Sequence, residues 1–110
     1  MNITEREQDG VTIFSLEGRV DSEGALDLDL ALQTAVSEGR RKLILEMAQV
    51  QYISSAGLRT LADILTQVRA GQGDLKLVNL SQRVARVLQI IGFDKFFSIY
   101  VTVDEAIASF

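Results

Sequence analysis

Two adjacent serines, Ser54 and Ser55, followed by Ala56, Gly57 and Leu58, carry the strongest chemical signal in the chain. They stand at the mouth of an amphipathic segment, where a hydroxyl has two uses. As an N-cap, a serine Oγ takes up an orphan backbone N–H and stabilises the helix by about 1 kcal/mol. Gly57 then serves close packing or a positive φ. As a presented group, the hydroxyl faces a partner. The free N–H donors and dipole of a helix start stabilise a negative charge by roughly 0.3–1 kcal/mol, so a phosphate there is tolerated. The 110 residues include no His and no Cys. Their absence excludes Ser-His-Asp and Cys-His nucleophiles, thiolate chemistry, disulfides and the usual zinc sites. Acid–base catalysis near neutrality would need a carboxylate or lysine with a strongly shifted pKa. No Walker-type Gly-rich Lys-Ser/Thr loop holds a nucleotide, and Gly71-Gln72-Gly73 reads as a turn. The expectation is a protein that is no enzyme and uses neither cofactor nor metal.

Composition narrows the class. Apolar residues make up 47% and charged residues 24%, with a formal net charge of −4. One globular domain, residues 1–110, fits that length. The acidic balance argues against nucleic acid as a partner, which wants a basic stripe. Arg40-Arg41-Lys42 is the only basic run, read as a solvated loop before a strand. No apolar run reaches the ~18–20 residues of a membrane helix, so no direct membrane insertion is expected. The N-terminus lacks a signal-peptide layout. With zero cysteine, this points to the cytoplasm.

The elements that must position the serines follow from periodicity. Val11, Ile13 and Leu16 mark a first strand, paired with the segment from Ile3 to Gln8. Leu28, Ala31, Leu32, Ala35 and Val36 form one face of a helix with Asp21 or Ser22 as N-cap and Gly39 at its stop. Leu26 and Leu30 lie beside that stripe and are expected to broaden the buried face, the alternative being an exposed partner groove. Leu43-Ile44-Leu45 is a strand covered on both faces. Leu58, Leu61, Ala62, Leu65 and Val68 make a second helix, with Arg59 and Asp63 on its wet side. A strand over Asp74–Leu80 follows. Ser81 caps a third helix whose inner face is Val84, Val87, Leu88 and Ile91. Ser98–Val103 is a last strand, and Thr102-Val103-Asp104-Glu105 has capping-box spacing for a closing helix. Strands alternating with helices imply βαβ crossovers and a largely parallel sheet, which the first hairpin makes mixed.

In such a layer, function collects where strands end and helices begin. The junctions are Gly18–Gly24, Met47–Gly57 and Leu80–Arg83. Asp21 and Ser22, at the first, neighbour Ser55 if the two strands are adjacent. They read either as a helix cap or as a partner contact. Arg59 and Asp63 are either a solvated pair or part of a surface beside Ser55, and Arg83 and Arg86 a solvent face.

Tyr52-Ile53-Ser54-Ser55-Ala56-Gly57-Leu58 resembles the signature of STAS domains, the family of bacterial anti-sigma factor antagonists. Leu16-Glu17-Gly18-Arg19-Val20-Asp21 resembles the family's end of its first strand. Leu43-Ile44-Leu45-Glu46-Met47 is similar to the strand before its phosphosite. Val87-Leu88-Gln89-Ile90-Ile91-Gly92-Phe93 is similar to its third helix and the turn after it. The resemblance implies a single STAS-type α/β domain, a mixed four- to five-stranded sheet packed by about four helices. It also implies partner switching. A GHKL-type serine kinase that is itself an anti-sigma factor phosphorylates the antagonist. The unphosphorylated antagonist binds that kinase and frees its client, and a PP2C-type phosphatase restores it. Ser55 matches the phosphoacceptor. Ser54 stands where the family commonly has Asp, and is a rival acceptor. Asp21, Ser22, Ser54, Ala56, Gly57, Leu58, Arg59 and Asp63 would form the partner surface. The alternative is a constitutive STAS-like subunit of a membrane transport or signalling complex, using the same surface without phosphorylation.

Overall fold

Asp9 and Gly10 both take positive φ, 54° and 78°. Two such residues make the hairpin turn whose twist matches that of the flanking strands. The turn joins β1 (Asn2–Gln8) to β2 (Val11–Val20), antiparallel from Gln8↔Val11 to Asn2↔Glu17. The computed structural model describes all residues, Met1–Phe110. After β2 come α1 (Ser22–Ser37), β3 (Lys42–Ile53), α2 (Ser55–Ala70), β4 (Asp74–Val78) and α3 (Gln82–Ile91). A 3₁₀ turn (Phe93–Lys95), β5 (Ile99–Tyr100) and α4 (Val103–Ala108) complete the chain. The five strands lie in sequence order, β1-β2-β3-β4-β5, with every pair after the hairpin parallel. The mixed, largely parallel α/β sheet with four helices is therefore the architecture expected.

The two sheet faces carry different loads. Phe14, Leu16, Leu43, Leu45, Met47, Leu75 and Leu77 meet Leu28 and Leu32 of α1, Leu61, Ile64 and Val68 of α2, and Val84 and Leu88 of α3. On the other face Val11, Ile13, Ile44 and Val78 are covered by Ala106 of α4, with Tyr100, Val103, Ile107 and Phe110 around it. Lys76, beside Ile44 in register, is buried on this second face. Its ammonium donates to Ser109 Oγ and lies 4.1 Å from the Phe110 ring centroid and 5.5 Å from that of Tyr100.

Several expectations need correction. β3 does not stop with its apolar run but continues to Ile53, because Met47, Val50 and Ile53 are all buried against the helices. Register shifts in β2 between Ser15 and Glu17, and again between Gly18 and Val20, keep the longer strands paired. The junctions that follow shrink accordingly to one residue each. β5 is two residues rather than six, since Thr102 leaves the sheet to cap α4 at Glu105 N. Ile91 is 44% exposed instead of inward-facing. Leu26 and Leu30 do not widen the buried face: they are 72% and 70% exposed. The basic run is the expected loop before β3, but its two arginines are half-buried and tied back to the fold. Arg40 pairs with Glu7 and Glu38, and Arg41 donates to the Val36 carbonyl at 2.8 Å.

Candidate functional site at the ends of two parallel strands

β2 and β3 end together. Their last register pair is Val20↔Ile53, and Ser54 N donates to the Val20 carbonyl at 2.7 Å. One residue later each chain enters a helix by the same device. Asp21 caps α1, its carboxylate accepting from Gly24 N at 2.8 Å. Ser54 caps α2, its Oγ accepting from Gly57 N at 3.2 Å. Asp21-Ser22-Glu23-Gly24 and Ser54-Ser55-Ala56-Gly57 thus occupy matching cap-to-third-turn-residue positions. The glycines let each helix start press onto the strand ends. A Cβ on Gly24 would sit 2.3 Å from the Arg19 carbonyl oxygen, and one on Gly57 would sit 2.6 Å from Val20 Cγ1. Such approaches are open only to a residue without a side chain.

The cap assignments separate the two serines. Ser54 is half-buried and engaged, whereas Ser55, first residue of α2, is exposed with its hydroxyl left to solvent. Of the two first-junction candidates, Asp21 is the cap and Ser22 is the exposed hydroxyl. The adjacency of β2 and β3 brings all four together.

A groove of about 210 Å³ runs between the two helices, lined by Ser22, Ala25, Leu26 and Asp29 of α1 and by Ala56, Arg59, Thr60 and Asp63 of α2. Arg59 and Asp63 are both exposed and enter none of the ion pairs of the molecule, so they do not form the solvated pair. Gly57 is buried and Leu58 half-buried against the core, so these two seat the start of α2 and offer a partner little surface. Sequence reasoning passed over the Arg19 guanidinium, 4.2 Å above the Tyr52 ring on the neighbouring strand. For Leu26 the structure favours the alternative reading, an exposed residue on the groove wall. The signal for Leu26 was present in the leucine spacing of α1.

A model of the STAS domain matches residues 2–106. The chain belongs to the STAS domain family. It is 36% identical over 110 residues to BtrV of Bordetella bronchiseptica, named as an anti-sigma factor antagonist, a match spanning the whole chain and 95% of BtrV. It is 26% identical over 108 residues to the anti-sigma-F factor antagonist RsfB of Mycobacterium tuberculosis, covering 97% of this STAS protein and 87% of RsfB. Among solved structures, an anti-sigma factor antagonist from Mycobacterium paratuberculosis superposes with a TM-score of 0.89 at 25% identity, covering 98% of this chain and 92% of that one. No helix of the STAS protein is long and apolar enough to cross a membrane.

Proposed function

We propose that this STAS protein is an anti-sigma factor antagonist switched by phosphorylation of Ser55. Its full-length likeness to named antagonists supports the first half of that reading. The observation that carries the second is the division of labour at α2, where Ser54 holds the cap and Ser55 stands exposed beside a groove. A kinase that is also the anti-sigma factor transfers the γ-phosphoryl of ATP to Ser55 Oγ. The hydroxyl proton passes to the kinase's base and ADP leaves. The STAS protein is the substrate in this step, not the catalyst. A phosphatase of PP2C type hydrolyses the phosphoserine and restores the hydroxyl.

The modification adds about −1.5 to −2 charges and three acceptor oxygens at the start of α2. Inside the free domain the helix dipole accommodates it, so no refolding is needed. Against a surface fitted to a neutral hydroxyl, an unmatched buried charge costs about 2–5 kcal/mol, or roughly 30- to several-thousand-fold in affinity. Release follows from loss of fit.

The test is to incubate the protein with its cognate kinase and ATP and to locate phosphate by mass. The expected result is one phosphate on Ser55, absent in Ser55→Ala, with binding abolished in Ser55→Glu. Failure of every cognate kinase to label Ser55, together with unchanged partner binding by Ser55→Glu, sinks the switch and leaves a constitutive binding module.

A further inference from the structure

Four leucines alternate along α1: Leu26, Leu28, Leu30 and Leu32. At 3.6 residues per turn, positions two apart lie about 200° around a helix, so they cannot share a face. Leu28 and Leu32 are fully buried against the sheet, and Leu26 and Leu30, one turn apart, form a ridge pointing away from it. Leu26 also forms part of the wall of the groove that leads to the first turn of α2. The ridge is therefore continuous with the surroundings of Ser55. Ile90 of α3 is equally exposed but lines neither this groove nor either junction.

The charges around the ridge are mostly negative, with Arg59 of α2 the one cation on the groove wall. α1 carries Glu23, Asp27 and Asp29 and no basic residue, and Asp63 faces it across the groove. Asp27 is held by the N-terminal ammonium at 3.3 Å, while Glu23, Asp29 and Asp63 have no cationic partner within the molecule. Three unpaired carboxylates against the single unpaired Arg59 leave the ridge's surroundings net acidic, which suits a surface with an apolar recess rimmed mainly by lysine or arginine. Apolar side chains that enter a desolvated pocket carry most of the energy of such an interface, and the surrounding charges steer approach.

We propose that Leu26 and Leu30 are the apolar anchors by which the unphosphorylated protein docks the kinase-type anti-sigma factor, and that Glu23, Asp29 and Asp63 select a basic rim on that partner. This rests on the reading of Ser55 above. It assigns affinity to α1 and leaves the switching to the start of α2.

The experiment measures binding and dissociation of the full chain with its cognate kinase as probe, in parallel with sedimentation of the chain alone. Leu26→Ser/Leu30→Ser alters only exposed side chains, so its urea midpoint stays at the wild-type value. Its Kd weakens by at least about 30-fold, chiefly through faster dissociation. Glu23→Lys/Asp29→Lys slows association by about 10-fold and flattens its dependence on salt. Ile90→Ser keeps wild-type affinity. Unchanged affinity in the leucine double variant, with Ser55→Glu still abolishing binding, overturns the anchor and leaves the Ser55 switch standing. An equal loss in Ile90→Ser overturns it too. A wild-type dimer that the double variant abolishes while kinase binding survives assigns the ridge to a second copy and overturns the proposal. Wild-type protein that neither binds the kinase nor accepts phosphate overturns both readings together.

Discussion

Gly57→Ala tests whether close packing sets the aim of Ser55. The added Cβ would meet Val20 Cγ1 at 2.6 Å and Ile53 Cγ1 at 2.9 Å. Carbon atoms in contact prefer about 3.5–4.0 Å, so the start of α2 must retreat by about 1 Å or both neighbours must change rotamer. Val20 and Ile53 are β-branched and buried, which leaves them little room to turn. Overpacking of this kind costs about 1–3 kcal/mol. Alanine is the better helix former by about 1 kcal/mol, which offsets part of that. The expected net is a loss of about 1 kcal/mol, read as a lower urea midpoint at unchanged slope. Function suffers more than stability. A retreat of about 1 Å displaces Ser55 from the geometry a kinase requires, and misplacement on that scale can cost about 100-fold in rate. Phosphorylation kcat/KM is therefore expected to fall by about 10- to 100-fold. A variant more stable than wild type by about 1 kcal/mol would show helix propensity acting without a clash, and would refute the packing argument.

The two serines separate in stability as well as in labelling. Ser54→Ala removes the acceptor for Gly57 N and is expected to cost about 1 kcal/mol in urea unfolding, whereas Ser55→Ala, with no internal partner to lose, shifts the midpoint little. On the opposite sheet face, Lys76→Ala removes a buried stem and a charged hydrogen bond to Ser109, expected to cost about 2–3 kcal/mol and to make α4 more sensitive to protease. Lys76→Met restores the packing part of that loss, and equal destabilisation by both variants would count against the stem's contribution.

Helices and parallel strands were legible because their apolar periods differ, and the βα junctions because serine and glycine mark them. What was not legible is how far β3 would run. Gln49, Gln51 and Tyr52 look like loop to a pattern built on continuous apolar residues, yet Met47, Val50 and Ile53 before, among and after them are buried, and pairing with β2 extends the strand. The pattern also misplaced Leu26 and Leu30, because it took apolar type for burial. Their spacing from Leu28 and Leu32 already forbade a common face. At the candidate site, the exposed serine could not be told from the capping one by sequence, since both residues suit both roles. The Ser54 Oγ contact to Gly57 N makes the distinction.

An acidic docking face raises a question about sign. A phosphate on Ser55 adds negative charge to a surface that already presents Glu23, Asp29 and Asp63 against the single cation Arg59, and a basic partner should be drawn to it more strongly. Two ranges of interaction act here. Steering works through the summed field during approach and is screened over about 8 Å at physiological salt. Fit works after contact, where a dianion must lose its water against a surface shaped for a hydroxyl, and the cost of about 2–5 kcal/mol exceeds what an exposed, screened attraction returns. Phosphorylation should therefore leave association as fast as before, or slightly faster at low salt, and act on dissociation by roughly 30-fold or more. Stopped-flow measurement of both rates, with Ser55→Glu as the stable surrogate, decides the matter. A fall in association rate with dissociation unchanged would place the effect in long-range repulsion, and the rim of the partner would then have to be acidic rather than basic.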